Sequence, residues 1–335
     1  IDSLEKLNAM RFQLQGIGLQ LTDFSSLEVS GCPFIIYQGV YQQRCSGYEL
    51  TQSLDFDTNA DGVIDENDDY WNENSEGVGE GWLPVGGFED DEINVFSAHF
   101  NGNGHVISNL TINRPEAYGV GFFGEVRSSY IENVVITGPL TEVVGYYAVG
   151  ALVGFSFDSR ILNISVAARI QGQEYVGGLA GIAGNSSYKN ISVSGSVRGE
   201  RVVGGLAGRL TTYVYYEDED DDENYNPNSF PSSMNNVISN SLVAGASNVG
   251  GLVGNSDSDT IIRNSYWATD TSTQLESYGS SEANNYVGLT LAKLQCAIAE
   301  NTDFTSGCVS EDGLEEELNG PVIHYKGWDP AIWDF

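Results

Sequence analysis

The feature that most constrains this fold is a short apolar unit bracketed by small residues, which recurs five times. The copies are Gly121-Phe122-Phe123-Gly124, Ala151-Leu152-Val153-Gly154, Gly178-Leu179-Ala180-Gly181, Gly205-Leu206-Ala207-Gly208 and Gly251-Leu252-Val253-Gly254. The closing glycines of the middle three copies stand at 154, 181 and 208, a period of 27 residues. A fixed period of this length is typical of a solenoid, in which each repeat buries its apolar face against its neighbours.

A second marker, an Asn that leads a β-rich stretch, runs through the same array. It occurs at Asn109, Asn133, Asn163, Asn190, Asn240 and Asn264. Between residues 191 and 197 apolar residues alternate strictly, which is the period of a strand with one buried face. Three of these Asn residues also begin glycosylation sequons. Because they follow the repeat, we expect a stack of Asn side chains at a solenoid corner instead.

The array contains no long stretch of helical periodicity, and 40 glycines against 8 prolines suit short strands joined by turns. The sequence therefore predicts an all-β fold, a right-handed parallel β-helix (β-solenoid) with short helical caps at both ends. We expect an N-terminal cap over 1–47, the β-helix over 48–289 and a C-terminal cap over 290–335. The cap helices are predicted from Ile1 to Leu14, behind the capping pair Asp2 and Ser3, and from Thr290 onward.

Two segments are predicted to be early coils of the β-helix, separated by a long loop. They run from 48 to 56 and from 96 to 107. The last interval of the array exceeds the period, and an acidic, aromatic insertion at 213–231 accounts for the excess.

The charge of the chain restricts its partners. With 47 acidic and 14 basic residues the formal net charge is −33. Phosphate binding needs a basic footprint that this composition lacks, so nucleic acid is excluded as a partner. No apolar run approaches the ~20 residues of a membrane span, and the absence of a leader is consistent with a removed one or a longer parent chain.

The four cysteines fall into two local pairs outside the repeats. Of the three connectivities, Cys32 with Cys45 and Cys296 with Cys308 would each close a loop in or beside a cap. A zinc site is the alternative, although no Cys-x-x-Cys unit is present. Disulfides indicate an oxidising compartment, which here means the extracellular space or the cell surface.

One motif carries defined chemistry, a twelve-residue loop at 57–68 that predicts a Ca²⁺ site. Oxygen ligands stand at positions 1, 3, 5, 7, 9 and 12, with glycine at position 6. The predicted ligands are Asp57, Asn59, Asp61, the Val63 carbonyl, Asp65 and Asp68. The flanks lack the paired long helices of a sensor, so we interpret calcium as a structural clip. The competing interpretation is an acidic solvated turn.

The insertion is a candidate partner-binding loop. Tyrosines flank an acidic run, and tyrosine among flexible polar residues is typical of recognition loops. The candidate residues are Tyr213, Tyr215, Tyr216, Glu217, Asp218 and Tyr225. The alternatives are a solvated acidic run or a second calcium site.

The Gly-Leu-x-Gly units, with the phrase at 101–110 before them and Asn264-Ser-Tyr-Trp after them, resemble the GLUG-motif proteins of bacteria. The resemblance covers about residues 48–290 and implies a secreted or surface-anchored, adhesin-like chain. It implies no catalytic residues, because the motif contains none.

These observations favour a non-catalytic extracellular β-solenoid that binds glycan or protein partners. The array holds the single lysine Lys189 and scattered arginines, and no nucleophile elbow, metalloprotease helix or phosphate loop is present. The three histidines are interpreted as structural. Two alternatives stay open: a β-helix enzyme that acts on polysaccharides, and a self-associating subunit of an extracellular filament.

Overall fold

The computed structural model describes residues 1–16, 34–37, 40–43, 47–89, 92–212, 231–280 and 288–290. Within these ranges lie the helices α1 (Leu4–Ala9) and α2 (Thr269–Ser272), and a 3-10 turn, Met10–Phe12, follows α1. All other regular structure in the described residues is β-strand.

The strands fall into those before the glycine-bracketed array and those within it. The first group is β1 (Phe34–Tyr37), β2 (Val40–Gln43), β3 (Gly47–Glu49), β4 (Leu54–Asp55), β5 (Gly87–Glu89), β6 (Glu92–Asn94), β7 (His99–Asn101), β8 (Val106–Ser108) and β9 (Thr111–Asn113). The second group is β10 (Tyr118–Val120), β11 (Phe123–Arg127), β12 (Tyr130–Thr137), β13 (Glu142–Val144), β14 (Tyr147–Val149), β15 (Val153–Phe157), β16 (Arg160–Gln171), β17 (Glu174–Gly177), β18 (Ala180–Gly184), β19 (Ser187–Arg198), β20 (Arg201–Gly204), β21 (Ala207–Thr211), β22 (Ser233–Ala244), β23 (Ser247–Gly250), β24 (Val253–Ser256), β25 (Ile261–Arg263), β26 (Tyr266–Trp267) and β27 (Tyr278–Ser280).

Three parallel sheets run the length of the array, and each coil contributes to all three. The first sheet has the order β10-β14-β17-β20-β23, and the second has the order β11-β15-β18-β21-β24-β27. The third follows the path β25-β22-β19-β16-β12-β7-β3, with the short strands beside it. Consecutive coils therefore pair strand on strand, which confirms the predicted parallel β-solenoid. The hairpins β1–β2 and β5–β6 are antiparallel.

The pairing register follows the predicted period. In the second sheet Val153 pairs with Ala180 and Ala180 pairs with Ala207. Ala207 then pairs with Val253, across the longer interval that contains the insertion. The insertion therefore leaves the stacking of the coils in register.

The residues inside the glycine brackets form the centre of the core. Leu152, Leu179, Leu206 and Leu252 are completely buried. The backbone N–H of Leu179 donates to the carbonyl of Leu206 at 2.9 Å, and that of Leu206 donates to Leu252 at 2.8 Å. Each leucine thus lies on its equivalent one coil away, as the repeat predicts.

The closing glycines are required by close packing between backbones. A Cβ at Gly181 would lie 2.3 Å from the carbonyl carbon of Ala148, and one at Gly208 would lie 2.4 Å from that of Tyr175. Neither glycine has a positive φ. The closing glycine therefore lets the backbone of the second sheet contact the backbone of the first sheet, because a side chain at this position would clash.

A ladder of Asn side chains runs along one corner, as predicted. Asn133, Asn163 and Asn190 belong to it as predicted, whereas Asn109 and Asn240 do not. Each amide nitrogen donates to the amide oxygen of the preceding coil, over 2.9–3.1 Å, in the series Asn236, Asn190, Asn163, Asn133 and Asn101. Asn240 pairs with Ser194 in β19, and Asn109 donates to Asp55. Asn264 ends the stack and bonds Asn235 at 3.3 Å.

The N-terminal cap is confirmed, although the helix is shorter than predicted. The Ser3 hydroxyl accepts the N–H of Lys6 at 3.2 Å and so caps α1, and Leu7 and Met10 are completely buried. The predicted early coils are also confirmed, because β3 and β4 pair with β7 and β8. The C-terminal helix predicted from Thr290 lies outside the described residues, and α2 was not predicted.

Candidate functional site

The loop at 57–68 has the turns expected of a calcium loop. Gly62 has φ +85°, and both Asp57 carboxylate oxygens accept backbone N–H groups, from Asp61 at 3.1 Å and from Gly62 at 2.9 Å. The Asn59 and Asp61 side chains each accept the N–H two residues further on, at 2.9 Å. These bonds stabilise a tight loop whose donor oxygens belong to the type that calcium binds.

Asp68 connects the two ends of this loop through hydrogen bonds. Its Oδ1 accepts the N–H of Thr58 at 2.6 Å, and its Oδ2 accepts that of Asp65 at 3.0 Å. Burial alone would raise the pKa of Asp68, but these hydrogen bonds outweigh burial and hold the pKa below its ordinary value. Over the described ranges, no group of three or more His, Cys, Asp or Glu side chains is arranged to hold a metal ion. The calcium site therefore stays a prediction.

The other predicted site residues lie outside the described residues. These are the four cysteines Cys32, Cys45, Cys296 and Cys308, and the insertion residues Tyr213, Tyr215, Tyr216, Glu217, Asp218 and Tyr225. Their pairing and their role in binding stay predictions.

An aromatic strip that sequence reasoning missed lies on the outside of the solenoid. We define it as Tyr118, Tyr146, Tyr147, Phe155, Phe157 and Tyr175. A second, smaller apolar cluster, separate from the main core, consists of buried Ala148, Phe155 and Ile182, and Tyr147, Phe157 and Tyr175 pack against it. Phe155 pairs with Ile182, and Ile182 pairs with the charged, partly exposed Arg209, which places this row on the outer side of the second sheet.

The rings of the strip contact one another across successive coils. Tyr147 lies 5.5 Å from Tyr118 in the coil before it and 5.0 Å from Tyr175 in the coil after it, between ring centroids. Tyr118 is also 5.4 Å from Tyr146, and its side chain is 53% exposed. At the other side the guanidinium of Arg127 lies 5.4 Å from the centroid of Phe157. Tyr118 is the exposed member of the strip, Tyr146, Tyr147, Phe157 and Tyr175 are half-buried, and Phe155 is buried.

A cavity of about 210 Å³ adjoins the strip at Tyr118. It lies between the segment after α1, the loop before β5 and the start of β10, and its lining includes Arg11, Leu14, Pro84, Asn94, Arg114 and Tyr118. The cavity and the strip share Tyr118. A ligand that lies on the strip can therefore extend into the cavity.

Both cavity arginines are held in place by the surrounding chain. Arg11 donates to the carbonyl of Leu83 at 2.8 Å and to the side chain of Asn8 at 2.8 Å. Arg114 forms an ion pair with Glu80 at 2.7 Å. Because these contacts fix the guanidinium groups before any ligand arrives, binding need not order them.

A separate polar cluster lies on the third sheet. His99 Nε2 is 2.9 Å from Glu132 Oε1, and the His99 ring is 5.1 Å from the ring of Tyr130. Burial, together with the negative charge of Glu132, raises the pKa of Tyr130. Histidine, carboxylate and tyrosine side chains are groups that general acid–base catalysis uses, and the interpretation of His99 as structural stays a prediction.

Sequence comparison with known proteins finds similarity over only parts of the chain. No family model matches it. A Gly-rich membrane protein of Evansella cellulosilytica is 39% identical over 90 residues, which is 26% of this chain and 10% of that protein. Halomucin of Haloquadratum walsbyi is 32% identical over 130 residues, 38% of this chain and 1% of that protein. The matched segments thus span a small share of these two relatives.

Among solved structures, the chain is similar to a protein of Bacteroides ovatus described as an immunoglobulin A1 protease. The TM-score is 0.47 at 18% identity, and the alignment covers 80% of this chain and 66% of the other. The solenoid fold of the present chain is established by its own strand pairing. In the described parts of the chain, no helix has both the length and the apolar character to cross a membrane.

The aromatic strip leaves a weak signal in the sequence. Tyr118 stands three residues before its glycine-bracketed unit and Tyr147 stands four before its own, and the register pairs them with each other and then with Glu174 and Arg201 of the later coils. An alignment of the repeats would detect two aromatic residues at a polar position. It would not detect that Phe155 and Tyr175 join them.

Proposed function

We propose that this chain is a non-catalytic extracellular β-solenoid of a bacterial surface or secreted, adhesin-like protein, which binds glycan or protein partners. The aromatic strip carries this proposal, because a solenoid needs apolar residues in its interior and gains nothing for folding from a half-exposed ring such as Tyr118. Aromatic residues exposed on a rigid scaffold are enriched at recognition surfaces.

Three further observations support the proposal. The resemblance to GLUG-motif proteins implies a surface or secreted location. The two relatives bear the names Gly-rich membrane protein and Halomucin, and the matched segments are small parts of both. A net charge of −33 keeps a long surface chain soluble. We infer that the solenoid presents its strip as one segment of a larger assembly.

The test is binding of the labelled protein to a panel of bacterial and eukaryotic cell surfaces. The wild type should bind at least one surface, and a Tyr118→Ala/Tyr147→Ala double variant should lose that binding while it still unfolds cooperatively, at a somewhat lower melting temperature because Tyr147 packs against the cluster around Phe155. Binding that the double variant retains in full would contradict the assignment of the strip.

Calcium is proposed as a structural clip at 57–68. Binding to the folded chain alone stabilises it by about 2.7 kcal/mol at a hundredfold excess over Kd, so a chelator should lower the melting temperature by several degrees. Asp61→Asn, which removes one ligand charge, should melt lower and respond less to the chelator. A melt that is identical with and without chelator would exclude the clip.

A polysaccharide-acting enzyme is the second candidate, and the pair of His99 and Glu132 beside Tyr130 favours it. An assay for newly formed reducing ends on neutral and acidic polysaccharides tests it. Turnover that His99→Gln abolishes, in a variant with an unchanged melting temperature, would establish this candidate in place of a non-catalytic role.

A further inference from the structure

We propose that the aromatic strip and the adjoining cavity form one site for an uncharged sugar chain. The inference rests on the proposed surface-binding function and names the class of partner. It is carried by the juxtaposition of tyrosine rings from three successive coils with a small, donor-lined cavity at one end.

The strip matches a partner that repeats along its length. Tyr118, Tyr147 and Tyr175 come from three consecutive coils, and their ring centroids are 5.5 Å and 5.0 Å apart. A tyrosine offers an apolar ring and a polar hydroxyl, and a sugar ring likewise has apolar C–H faces edged by hydroxyls. A row of tyrosines along the solenoid axis can therefore contact successive sugar units, one ring from each coil.

The cavity suits the end of such a chain. Its volume of about 210 Å³ lies below the roughly 300 Å³ at which sites for drug-sized ligands begin, so it accommodates a group of about one sugar ring. Arginine and asparagine side chains, Arg11, Arg114 and Asn94, line it with N–H donors. Hydroxyl oxygens are the acceptors that a sugar supplies, and Tyr118 joins this end to the strip.

The charges around the site favour an uncharged partner. Arg114 is balanced by Glu80 at 2.7 Å, and Arg201 is balanced by Glu174, which pairs with Tyr147 in the first sheet. These two arginines are thus neutralised by their ion-pair partners, whereas the chain as a whole carries −33. A polymer of carboxylated or sulfated sugars that lay along the solenoid would meet the acidic excess on either side.

The experiment is an array of neutral, carboxylated and sulfated oligosaccharides of varied linkage, probed with the whole chain. We expect binding to at least one neutral oligosaccharide and weaker binding to its carboxylated counterpart. Tyr118→Ala and Tyr147→Ala should each weaken binding about tenfold or more, which corresponds to ~1.4 kcal/mol. Tyr118→Phe, which keeps the ring, should retain most of the binding.

Tyr266→Ala is the matched control, because Tyr266 is a tyrosine that begins β26 on the third sheet and not on the first sheet, which carries Tyr118. It should leave binding unchanged. Preference for carboxylated or sulfated sugars, no binding to any neutral sugar, or equal losses in the control and the strip variants would each overturn the proposal. Melting temperatures of all variants separate lost binding from lost folding.

Failure of this proposal and failure of the proposed function give different results. If binding to cell surfaces depends on Tyr147 but persists after enzymatic removal of glycans, the proposed surface-binding function is retained and the proposal of a sugar chain as the partner is wrong. If the wild type binds neither a cell surface nor any oligosaccharide of the array, both the surface-binding function and the sugar-chain proposal are wrong.

Discussion

At the scale of single residues, the coils of the solenoid impose a left-handed backbone at fixed positions. In the first sheet this position is the second residue of each strand, occupied by Gly119, Ala148, Tyr175, Val202 and Asn248, with φ between 53° and 66°. Glycine and asparagine adopt this conformation readily, whereas a β-branched residue such as valine rarely does. Stacking of the coils therefore overrides local preference at Val202.

This strain can be measured at Asn248, which is exposed, so that loss or gain of burial hardly contributes. Asn248→Val should destabilise the chain by about 1–2 kcal/mol, because a β-branched residue is forced into the left-handed region. Asn248→Gly is the control and should change the stability by less than about 0.5 kcal/mol. Denaturant unfolding of both variants gives the comparison. Equal free energies of unfolding would show that position 248 accepts valine without loss of stability.

At the scale of elements, the Asn ladder ties each long strand of the third sheet to the next. Asn163 donates to Asn133 and accepts from Asn190, at 2.9 Å in both cases. Asn190 is 5% exposed, so its amide has little access to water. An unpaired buried polar group costs about 1–3 kcal/mol, which makes the interior of the ladder sensitive to deletion.

Asn163→Gly tests the ladder, since glycine keeps the left-handed backbone, at φ 55° in the wild type, and removes only the amide. We expect a loss of about 2–4 kcal/mol, because two neighbours lose a hydrogen bond. Asn264→Gly is the matched control at the end of the stack, where an exposed amide makes one bond of 3.3 Å. It should cost less than about 1 kcal/mol. Similar losses of stability in the two variants would indicate that the interior hydrogen bonds contribute no more to stability than the bond at the end of the stack.

At the scale of the whole molecule, the insertion at 213–231 leaves and rejoins the solenoid at one corner. Ser232 Oγ donates to the carbonyl of Thr211 at 2.6 Å, so the two ends are adjacent. Strands β21 and β22 on either side keep their pairing with β18 and β19. The strands on either side of the inserted segment therefore stay in register with the preceding coil.

Replacing 213–231 with a short Gly-Ser linker should leave the melting temperature within a few degrees of the wild type, since the adjacent ends need only a short connection. Circular dichroism and thermal melts check the fold. A linker of equal length and neutral composition is the control for charge. An aggregated or unfolded deletion variant, beside a folded control, would mean that the insertion covers part of the core.

Much of the architecture could be predicted because its signals are local and repeated. The glycine brackets, the alternation from Ile191 to Val197 and the cap at Ser3 each reflect the backbone within a few residues. The ladder was predicted in kind but placed wrongly in part, since Asn236 and not Asn240 continues it. Both residues fit a β-rich phrase, and only the pairing with β19 distinguishes them.

The amino-acid sequence by itself determined the period, the parallel stacking and the burial of the bracketed leucines, because a unit that cannot bury its own apolar face must use its copies. Only the tertiary structure decided where aromatic side chains cluster on the outer surface. Tyr118 and Tyr147 occupy equivalent positions, but Phe155 and Tyr175 occupy other positions in their repeats, and the stacking of the coils brings the four rings together. Distances between coils set that surface, and no local pattern in the chain encodes them.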